Sequence, residues 1–182
     1  QIGGIFRIFK AETLMGGATG IALTTELAPL VTGFILAGRV GSAITAEIAT
    51  MKSNEQIEAL EAMGISPVNY LSVPRIIASL IAMPFMCAIF MFIGMLGAYI
   101  TGIIIFDIDK GIFIEKTLYL LQTENIITGL RKMFTFAFII SATSCYYGIR
   151  SSGGSKGVGE ATTKAVVKIL IGILVSDLII SY

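Results

Sequence analysis

Long apolar runs separated by short polar segments dominate the pattern of this chain. Four runs approach or exceed the roughly 20 residues that a helix needs to cross a hydrocarbon core of about 30 Å. They lie at about residues 14–38, 76–106, 126–148 and 165–180. The pattern predicts an all-α integral membrane protein, a polytopic helix bundle with about four spans. Because the first residue is Gln1 and not methionine, we expect this bundle to be part of a longer chain.

The polar segment between the first two runs has the pattern of a short amphipathic helix. Three apolar side chains share one face and three acidic ones the other, namely Ile57, Leu60 and Met63 against Glu55, Glu58 and Glu61. We expect this helix to begin at Ser53, with Gln56 completing a capping box, and to stop before Gly64. Helices that lie on lipid headgroups are usually basic on their polar face. The acidic face therefore favours docking to a protein partner.

The composition excludes several other classes of protein. Hydrophobic residues make up 55% of the chain and charged residues 14%, against about 25% charged in typical soluble domains. The mean hydropathy is +0.87. A net charge of +1 gives no electrostatic basis for binding nucleic acid. Histidine is absent, and Cys87 and Cys145 stand apart in apolar runs, so neither a zinc site nor a histidine-based catalytic triad is expected.

Small residues recur at every fourth position around the end of the first run. They are Gly33, Ala37, Gly41, Thr45 and Ala49, with Gly38, Ser42 and Ala46 on the neighbouring row. Such a face lets helix backbones approach closely in lipid. It predicts a helix–helix contact, within the subunit or across a dimer. The alternative is that the small residues only accompany a span that Pro29 kinks.

Five charged residues fall inside the predicted spans, namely Glu26, Arg131, Lys132, Lys168 and Asp177. Counting spans places residues 39–75 and 149–164 on one side, and the six basic residues there, against four opposite, favour the cytoplasm. Glu26 and Lys132 then lie in the outer half of the membrane, where each would cost about 2.5–3.5 kcal/mol if unpaired at the centre of a span. We expect them to line a polar cavity that opens outward, with Leu27 and Leu30 offering surface to acyl chains. The alternative is an ion pair that only locks two helices.

The glycine-rich segment at residues 150–164 does not fit a nucleotide site. A P-loop needs GxxxxGK[ST] after a strand, whereas Lys156 here is followed by glycine and lies between predicted helices. The chain is therefore not expected to hydrolyse ATP by itself.

Several segments together resemble the MlaE (YrbE) permeases, the membrane subunits of Mla/MCE phospholipid ABC transporters. The similarity is carried by ELAP, AGRVGSAITAEI, GLRK and GVGEATTKAV at residues 26–29, 37–48, 129–132 and 157–166, and by residues 55–56 and 61–63 between them. It covers nearly the whole chain. Thr25 departs from the family, which often has arginine there, and the family's amino-terminal interfacial helix and first span are expected to be missing.

The resemblance implies a single transmembrane permease domain over residues 1–182 that moves phospholipid between membranes. It implies a homodimer with a cytoplasmic ABC ATPase, which would bind ATP and magnesium so that this chain holds no cofactor, and a periplasmic MCE-domain protein. The expected location is the bacterial inner membrane, multi-pass, or the plastid inner envelope if the source bears plastids. No nucleic-acid partner is expected.

The resemblance also assigns roles to residues. The helix at about 53–63 becomes the coupling helix to the ATPase, through Ser53, Glu55, Gln56, Glu58, Leu60, Glu61 and Met63. Glu26 and Lys132 match polar residues of the family's lipid cavity. Arg39, Gly41 and Glu47 are expected to serve at an interface or as helix anchors, and Arg39 and Glu47 alternatively transmit motion from the ATPase.

Two other functions remain open at this point. An ion-coupled secondary transporter or channel could use Glu26, Lys132 and Asp177 as a relay, since intramembrane carboxylates suit that role. A non-transporting assembly subunit is the second. Co-purification with an ATPase, together with ATP-dependent lipid movement in proteoliposomes, separates the ABC permease from both.

Overall fold

The computed structural model describes residues 15–105 and 108–182, apart from the side chains of Met15 and Ile112. The predicted span boundaries at Leu14 and Phe106 lie outside the described residues. Eight α-helices and three π-helical turns make up the described part, and no strand occurs there. The helices are α1 (Met15–Ala22), α2 (Ala28–Leu36), α3 (Ser42–Ser53), α4 (Gln56–Ala62), α5 (Val73–Ile104), α6 (Lys110–Leu120), α7 (Thr123–Ile149) and α8 (Gly154–Ser181).

Three stretches of continuous helix among the described residues are long and apolar enough to cross a membrane. They are Gly16–Ser53, Val68–Ile104 and Thr123–Ile149. The predicted all-α membrane fold is thereby confirmed. The predicted fourth span falls within α8, which has 28 residues but carries Lys164, Lys168 and Asp177 in its last eighteen. It stays a prediction.

The first span and the ladder of small residues form one continuous helix of 38 residues. Two π-turns, Leu23–Leu27 and Ala37–Gly41, absorb the irregularities of the sequence within it. The first comes directly before Pro29, whose missing N–H and bulky ring disturb the bonding of the turn before it. There the Ala28 N–H donates to the Leu23 carbonyl, five residues back. Such a turn keeps the helix continuous where a proline would otherwise break it.

The helices separate into two compact units, and the described part of the first is residues 15–29, 86–105 and 108–131. Glycines let its helices touch: an added Cβ on Gly16 would meet Thr117 and Phe113 of α6. Gly129 of α7 lies against the backbone of Thr24 so closely that a Cβ would overlap its carbonyl oxygen. This unit is therefore held by backbone approaches that only glycine permits.

The second unit consists of residues 30–85 and 132–182. Its centre is the predicted ladder of small residues, which packs against α7 and α8. A Cβ on Gly33 would lie 3.2 Å from the Phe136 ring, and one on Gly41 would lie 3.1 Å from Ile169 Cδ1. The Thr45 hydroxyl donates to the Ser144 carbonyl of α7 at 3.3 Å. The predicted helix–helix contact is therefore confirmed within the chain, whereas Gly38 on the neighbouring row meets no atom within 4 Å.

Candidate functional site

Helix α4 begins later than the sequence indicated. It starts at Gln56, after Glu55 in a left-handed conformation with φ of 58°, and no side chain caps it. The capping box from Ser53 to Gln56 was wrong. The N–H groups of Asn54 and Glu55 donate to the carbonyls of Thr50 and Lys52, which extends α3 through Ser53. Because Ser53 is still helical, it cannot take the extended conformation of an N-cap.

Helix α4 ends before Gly64, as the sequence predicted. Gly64 has φ of +75°. Its N–H donates to the Glu61 carbonyl at 2.9 Å, and the Ile65 N–H donates to the Leu60 carbonyl at 3.0 Å. These two bonds form a Schellman motif, for which glycine is the preferred residue. The motif fixes where the chain leaves α4.

One side chain anchors α4 to the rest of the second unit. Ile57 is 1% exposed and belongs to a small apolar cluster with Ile44, Ile48, Leu71 and Cys145. Leu60 is half-buried against the same cluster, while Met63 at the end of the helix is 65% exposed. The predicted apolar face therefore holds the helix at its centre and leaves an apolar tip for a partner.

The acidic face of α4 points into solvent. Glu55, Glu58 and Glu61 are exposed, as is Gln56. Glu58 accepts a hydrogen bond from the Lys52 ammonium of α3, and this bond lowers the pKa of the Glu58 carboxyl below its ordinary value. Glu55 and Glu61 extend the negative surface. A basic surface on a partner would complement this face.

Beside α4 lies a groove of about 250 Å³ whose walls come from α3, α4 and the third π-turn, Val68–Ser72. Met51, Leu60 and Met63 line one part of it, and Tyr70 and Leu71 line the other. Tyr70 is 62% exposed. An exposed tyrosine beside an exposed methionine is typical of a protein-docking surface. Tyr70 was not predicted as a site residue from the sequence. An aromatic residue six positions after Gly64, the glycine that ends α4, could have indicated a docking surface.

An ion pair joins α3 to the start of α5. The Arg75 guanidinium donates to Glu47 Oε1 at 2.6 Å and to the Leu71 carbonyl at 2.9 Å. Arg75 was not among the predicted site residues. Arg75 follows Pro74 and lies at the start of the second apolar run. A basic residue at that position is the sequence signal that could have indicated an anchor at the membrane interface. Glu47 is therefore joined to α5 through Arg75, and its anchoring role stays a prediction.

We expect Glu47→Gln to reduce the stability of the permease by about 0.5 kcal/mol or less, because exposed ion pairs contribute little. Arg75 keeps its bond to the Leu71 carbonyl in this variant. Thermal unfolding of the detergent-solubilised protein at low and high salt measures the effect. The difference from the parent protein should shrink as salt rises. A large difference that salt does not alter would contradict the assignment as a surface anchor.

The residues of the predicted lipid cavity differ in their exposure and in their contacts. Glu26 lies half-buried in the first π-turn, Leu27 is exposed, and Leu30 is half-buried in α2. Lys132 of α7 is 1% exposed, with its ammonium 3.1 Å from Asp177 Oδ1 and 2.6 Å from Ser181 Oγ of α8. From the sequence, Asp177 was predicted only as a member of the alternative ion relay. The cavity itself stays a prediction.

The other two predicted interface residues lie in the second π-turn, Ala37–Gly41. Gly41 is buried where the turn meets α7 and α8. Arg39 is exposed. Gly41 therefore packs within the chain, and the interface or anchoring role of Arg39 stays a prediction.

Comparison with known proteins identifies the fold and the class of transporter. The profile of the family described as Permease MlaE matches residues 1–182. The chain belongs to the MlaE permease family. This permease is 44% identical over 176 residues to the probable ABC transporter permease protein RP096 of Rickettsia prowazekii, covering 97% of the chain and 68% of that relative. It is 38% identical over 182 residues to the probable ABC transporter permease protein slr1045 of Synechocystis, covering 100% of the chain and 69% of that relative.

A plant protein also matches. The chain is 38% identical over 167 residues to the Arabidopsis thaliana protein TRIGALACTOSYLDIACYLGLYCEROL 1, chloroplastic, covering 92% of the chain and 48% of that relative. The family and the names of its members make this chain the permease subunit of an ABC transporter, a membrane protein that works with a separate ATPase. The resemblance found in the sequence is thereby confirmed.

Proposed function

We propose that this permease moves phospholipid between membranes. It acts as a homodimer, with a cytoplasmic ABC ATPase on one side and a periplasmic MCE-domain protein on the other. Its place is the bacterial inner membrane, or the plastid inner envelope in an organism with plastids. The name of the plant relative supports a lipid substrate, because it contains the name of a glycerolipid. The predicted cavity of Glu26, Leu27, Leu30 and Lys132 combines the polar and apolar surfaces that such a substrate presents.

The observation that carries the proposal is the construction of α4. A helix of seven residues would not be stable alone in water. Here Ile57 fixes it to an apolar cluster shared with α3 and α7, and the Lys52–Glu58 pair ties it to α3. A force applied to α4 would therefore pass directly into the helices that span the membrane. That is the property required of a coupling helix.

The glycine-rich segment supports a role in transport and not in ATP hydrolysis. Most of it is helical, since α8 begins at Gly154. Gly157 packs against the backbone of Ser152, so that a side chain there would overlap it. The preceding element is α7, not a strand. A P-loop needs a strand before it, and this segment follows a helix.

Reconstitution tests the proposed function. The full-length permease, purified with its ATPase and MCE partner, is placed in proteoliposomes with fluorescent phospholipid and acceptor vesicles. We expect lipid transfer that requires hydrolysable ATP and stops with a non-hydrolysable analogue. Transfer that follows an imposed proton gradient without the ATPase would instead support the ion-coupled transporter.

Reversing charge on α4 should weaken the attachment of the ATPase. We expect Glu61→Lys to reduce ATPase co-purification about tenfold, equivalent to about 1.4 kcal/mol, because an exposed carboxylate facing a basic partner is replaced by a like charge. The matched control is Glu115→Lys, an exposed carboxylate on α6. Equal ATPase recovery from both variants would show that α4 does not dock the ATPase.

A further inference from the structure

A polar cavity of about 290 Å³ lies in the second unit, between the end of α7 and the start of α8. Tyr146, Tyr147 and Arg150 line it from α7, and Glu160 and Lys164 line it from α8. The other lining residues are small, namely Ser151, Ser152, Gly157 and Ala161. None of its charged side chains belongs to the predicted lipid cavity or to α4, so the proposed function leaves this site unassigned.

The charges that line the cavity leave a positive excess. Arg150 and Lys164 face a single carboxylate, Glu160, whose Oε2 lies 3.4 Å from the Lys164 ammonium. The side chains of Lys164 and Glu160 are 66% and 55% exposed, and an exposed pair of this kind contributes little to stability. Lys164 can therefore exchange this partner for an anionic ligand at little cost.

Two tyrosines hold Arg150 in place and leave most of its donors to a ligand. The guanidinium donates from Nη1 to the Tyr146 hydroxyl at 2.6 Å, and its central carbon lies 4.7 Å from the centroid of the same ring. Tyr147 meets that ring edge to face, with centroids 5.4 Å apart. A guanidinium has five N–H donors in a fixed fork, and the other four have no acceptor among the described residues. Such a fork matches the oxygens of a phosphate.

The acidic side chains of α4 line a separate cavity. Glu55 lies there with Glu58 and Lys52, which form an ion pair with each other. The two cavities have only Ser151 and Ser152 in common. The carboxylates of α4 therefore do not line the first cavity, and both cavities lie at the same end of the second unit.

This end of the second unit is the end of a membrane span. Helix α7 is long and apolar enough to cross a membrane, and the cavity begins in its last turn. Helix α8 runs back along α7, since an added Cβ on Gly172 would lie 3.0 Å from Ile139 Cγ2 and Lys132 pairs with Asp177. Tyrosine is enriched at the level of lipid headgroups. The cavity with its two tyrosines is therefore placed at that level.

One exposed face of α8 leads from the cavity toward the middle of the membrane. Lys168, Ile171 and Val175 follow Lys164 at intervals of 4, 7 and 11 residues, which places all four on one face of the helix. Ile171 is 50% exposed and Val175 is 54% exposed. Val175 lies about 17 Å along the axis from Lys164, and one leaflet contributes about 15 Å of hydrocarbon. An acyl chain beside this face has its phosphate at the level of Lys164.

Lys168 favours a lipid over a soluble anion. It is exposed three residues after Ala165, where the apolar run of α8 begins, and it has no carboxylate partner within the part of the chain that the structure describes. A lysine at such a position extends its ammonium along the helix to the headgroup region. Lys164 lies four residues away on the same face, and like charges at this spacing repel each other. An anionic headgroup between the two would offset that repulsion.

We propose that an anionic phospholipid, from the leaflet on the side of α4, binds here with its phosphate between Arg150 and Lys164. Lys168 contributes a third cation from the adjacent turn, against the single carboxylate of Glu160. Basic pockets between membrane helices bind anionic headgroups in this way. A zwitterionic headgroup binds less tightly, because its own ammonium meets the same cations. The lipid is a bound ligand of the permease and not its cargo.

Lipid titration of the full-length complex tests this site. The complex is stripped of lipid in detergent, phosphatidylglycerol or phosphatidylethanolamine is added back, and the bound lipid is counted by native mass spectrometry. We expect tighter binding of phosphatidylglycerol, weakened about fivefold by Lys164→Gln or Lys168→Gln, which corresponds to about 1 kcal/mol per basic residue. The matched control is Lys156→Gln, exposed on α8 but outside the cavity. Equal binding of the two lipids, or equal effects of Lys164→Gln and Lys156→Gln, would overturn the proposal.

A variant with the opposite expected effect provides the second arm. Glu160→Gln removes the carboxylate that faces Lys164 and should strengthen the binding of phosphatidylglycerol. If the Lys164–Glu160 pair served only to hold the fold, both Glu160→Gln and Lys164→Gln would weaken binding, and that result would overturn the proposal.

The same complex distinguishes a lipid from other occupants. Inorganic phosphate in excess should not displace phosphatidylglycerol, and p-benzoylphenylalanine in place of Ile171 should form a phospholipid adduct on irradiation. Displacement by phosphate, or an adduct of position 171 with another polypeptide, would overturn the proposal. These measurements do not involve lipid transfer, so a complex that binds the lipid but moves none would refute the proposed function and leave this site intact.

Discussion

Replacing Gly129 by alanine is expected to lower the stability of the permease by about 3 kcal/mol or more, and with it the yield of folded protein. A Cβ at this position would overlap the carbonyl oxygen of Thr24 and lie 2.6 Å from Met91 Cε. Methionine can move aside, but the Thr24 carbonyl belongs to the π-turn that precedes Pro29. Overpacking costs about 1–3 kcal/mol and occasionally more, and a clash with backbone belongs at the upper end. The loss is a large part of the stability of a typical domain.

The control for this prediction is Gly97→Ala. Gly97 also lies in the first unit, on α5, and meets no atom within 4 Å. Alanine there should be neutral or raise stability by about 0.5–1 kcal/mol, because glycine is unfavourable inside a helix. The yield of membrane-inserted protein and its unfolding temperature in detergent compare the two. Equal yields would show that α7 does not approach the first π-turn as closely as described.

Replacing Lys132 by alanine is expected to reduce stability by about 3–5 kcal/mol. The change leaves Asp177 without its ammonium partner in a site that is almost fully enclosed. Removing one member of a buried pair costs about this much because the remaining charge is uncompensated. Unfolding in a denaturant series of the detergent-solubilised permease gives the value. A loss below about 1 kcal/mol, as for an exposed pair, would contradict the burial of this ion pair.

The double variant Lys132→Met with Asp177→Leu should recover most of that loss, because replacing both charges by apolar groups is often neutral or stabilising. Its lipid transfer then separates two roles. A folded double variant that still moves lipid would make the pair a lock between α7 and α8. One that has lost transfer would place Lys132 in the predicted cavity.

The sequence could predict features that depend on local pattern. Apolar runs located the spans, because only helices of sufficient length satisfy their backbone in lipid. Gly64 ended α4 as predicted, since a left-handed residue after a helix has a strong preference for glycine. The four-residue spacing of small residues indicated the face that packs against α7 and α8.

Features that depend on contacts distant in sequence could not be predicted in the same way. Lys132 and Asp177 are 45 residues apart, and no spacing rule pairs residues on two separate helices. Arg75 and Glu47 lie on two different helices, 28 residues apart in the chain, and are joined by one ion pair. The start of α4 was misplaced since the hydrogen bonds of α3 continue through Ser53, which local propensity does not reveal. The candidate coupling helix was thus found, but not its neighbours.

The central claim, that α4 receives motion from an ATPase, is tested most directly by cysteine cross-linking in the assembled complex. Cys87 and Cys145 are buried, so an added cysteine at an exposed position reacts selectively. With a maleimide that carries a photoactivated benzophenone, Met63→Cys should form a covalent adduct with the ATPase, whereas Glu115→Cys on α6 should form none. An adduct at Glu115→Cys with none at Met63→Cys would place the ATPase at α6 instead of α4 and contradict the account.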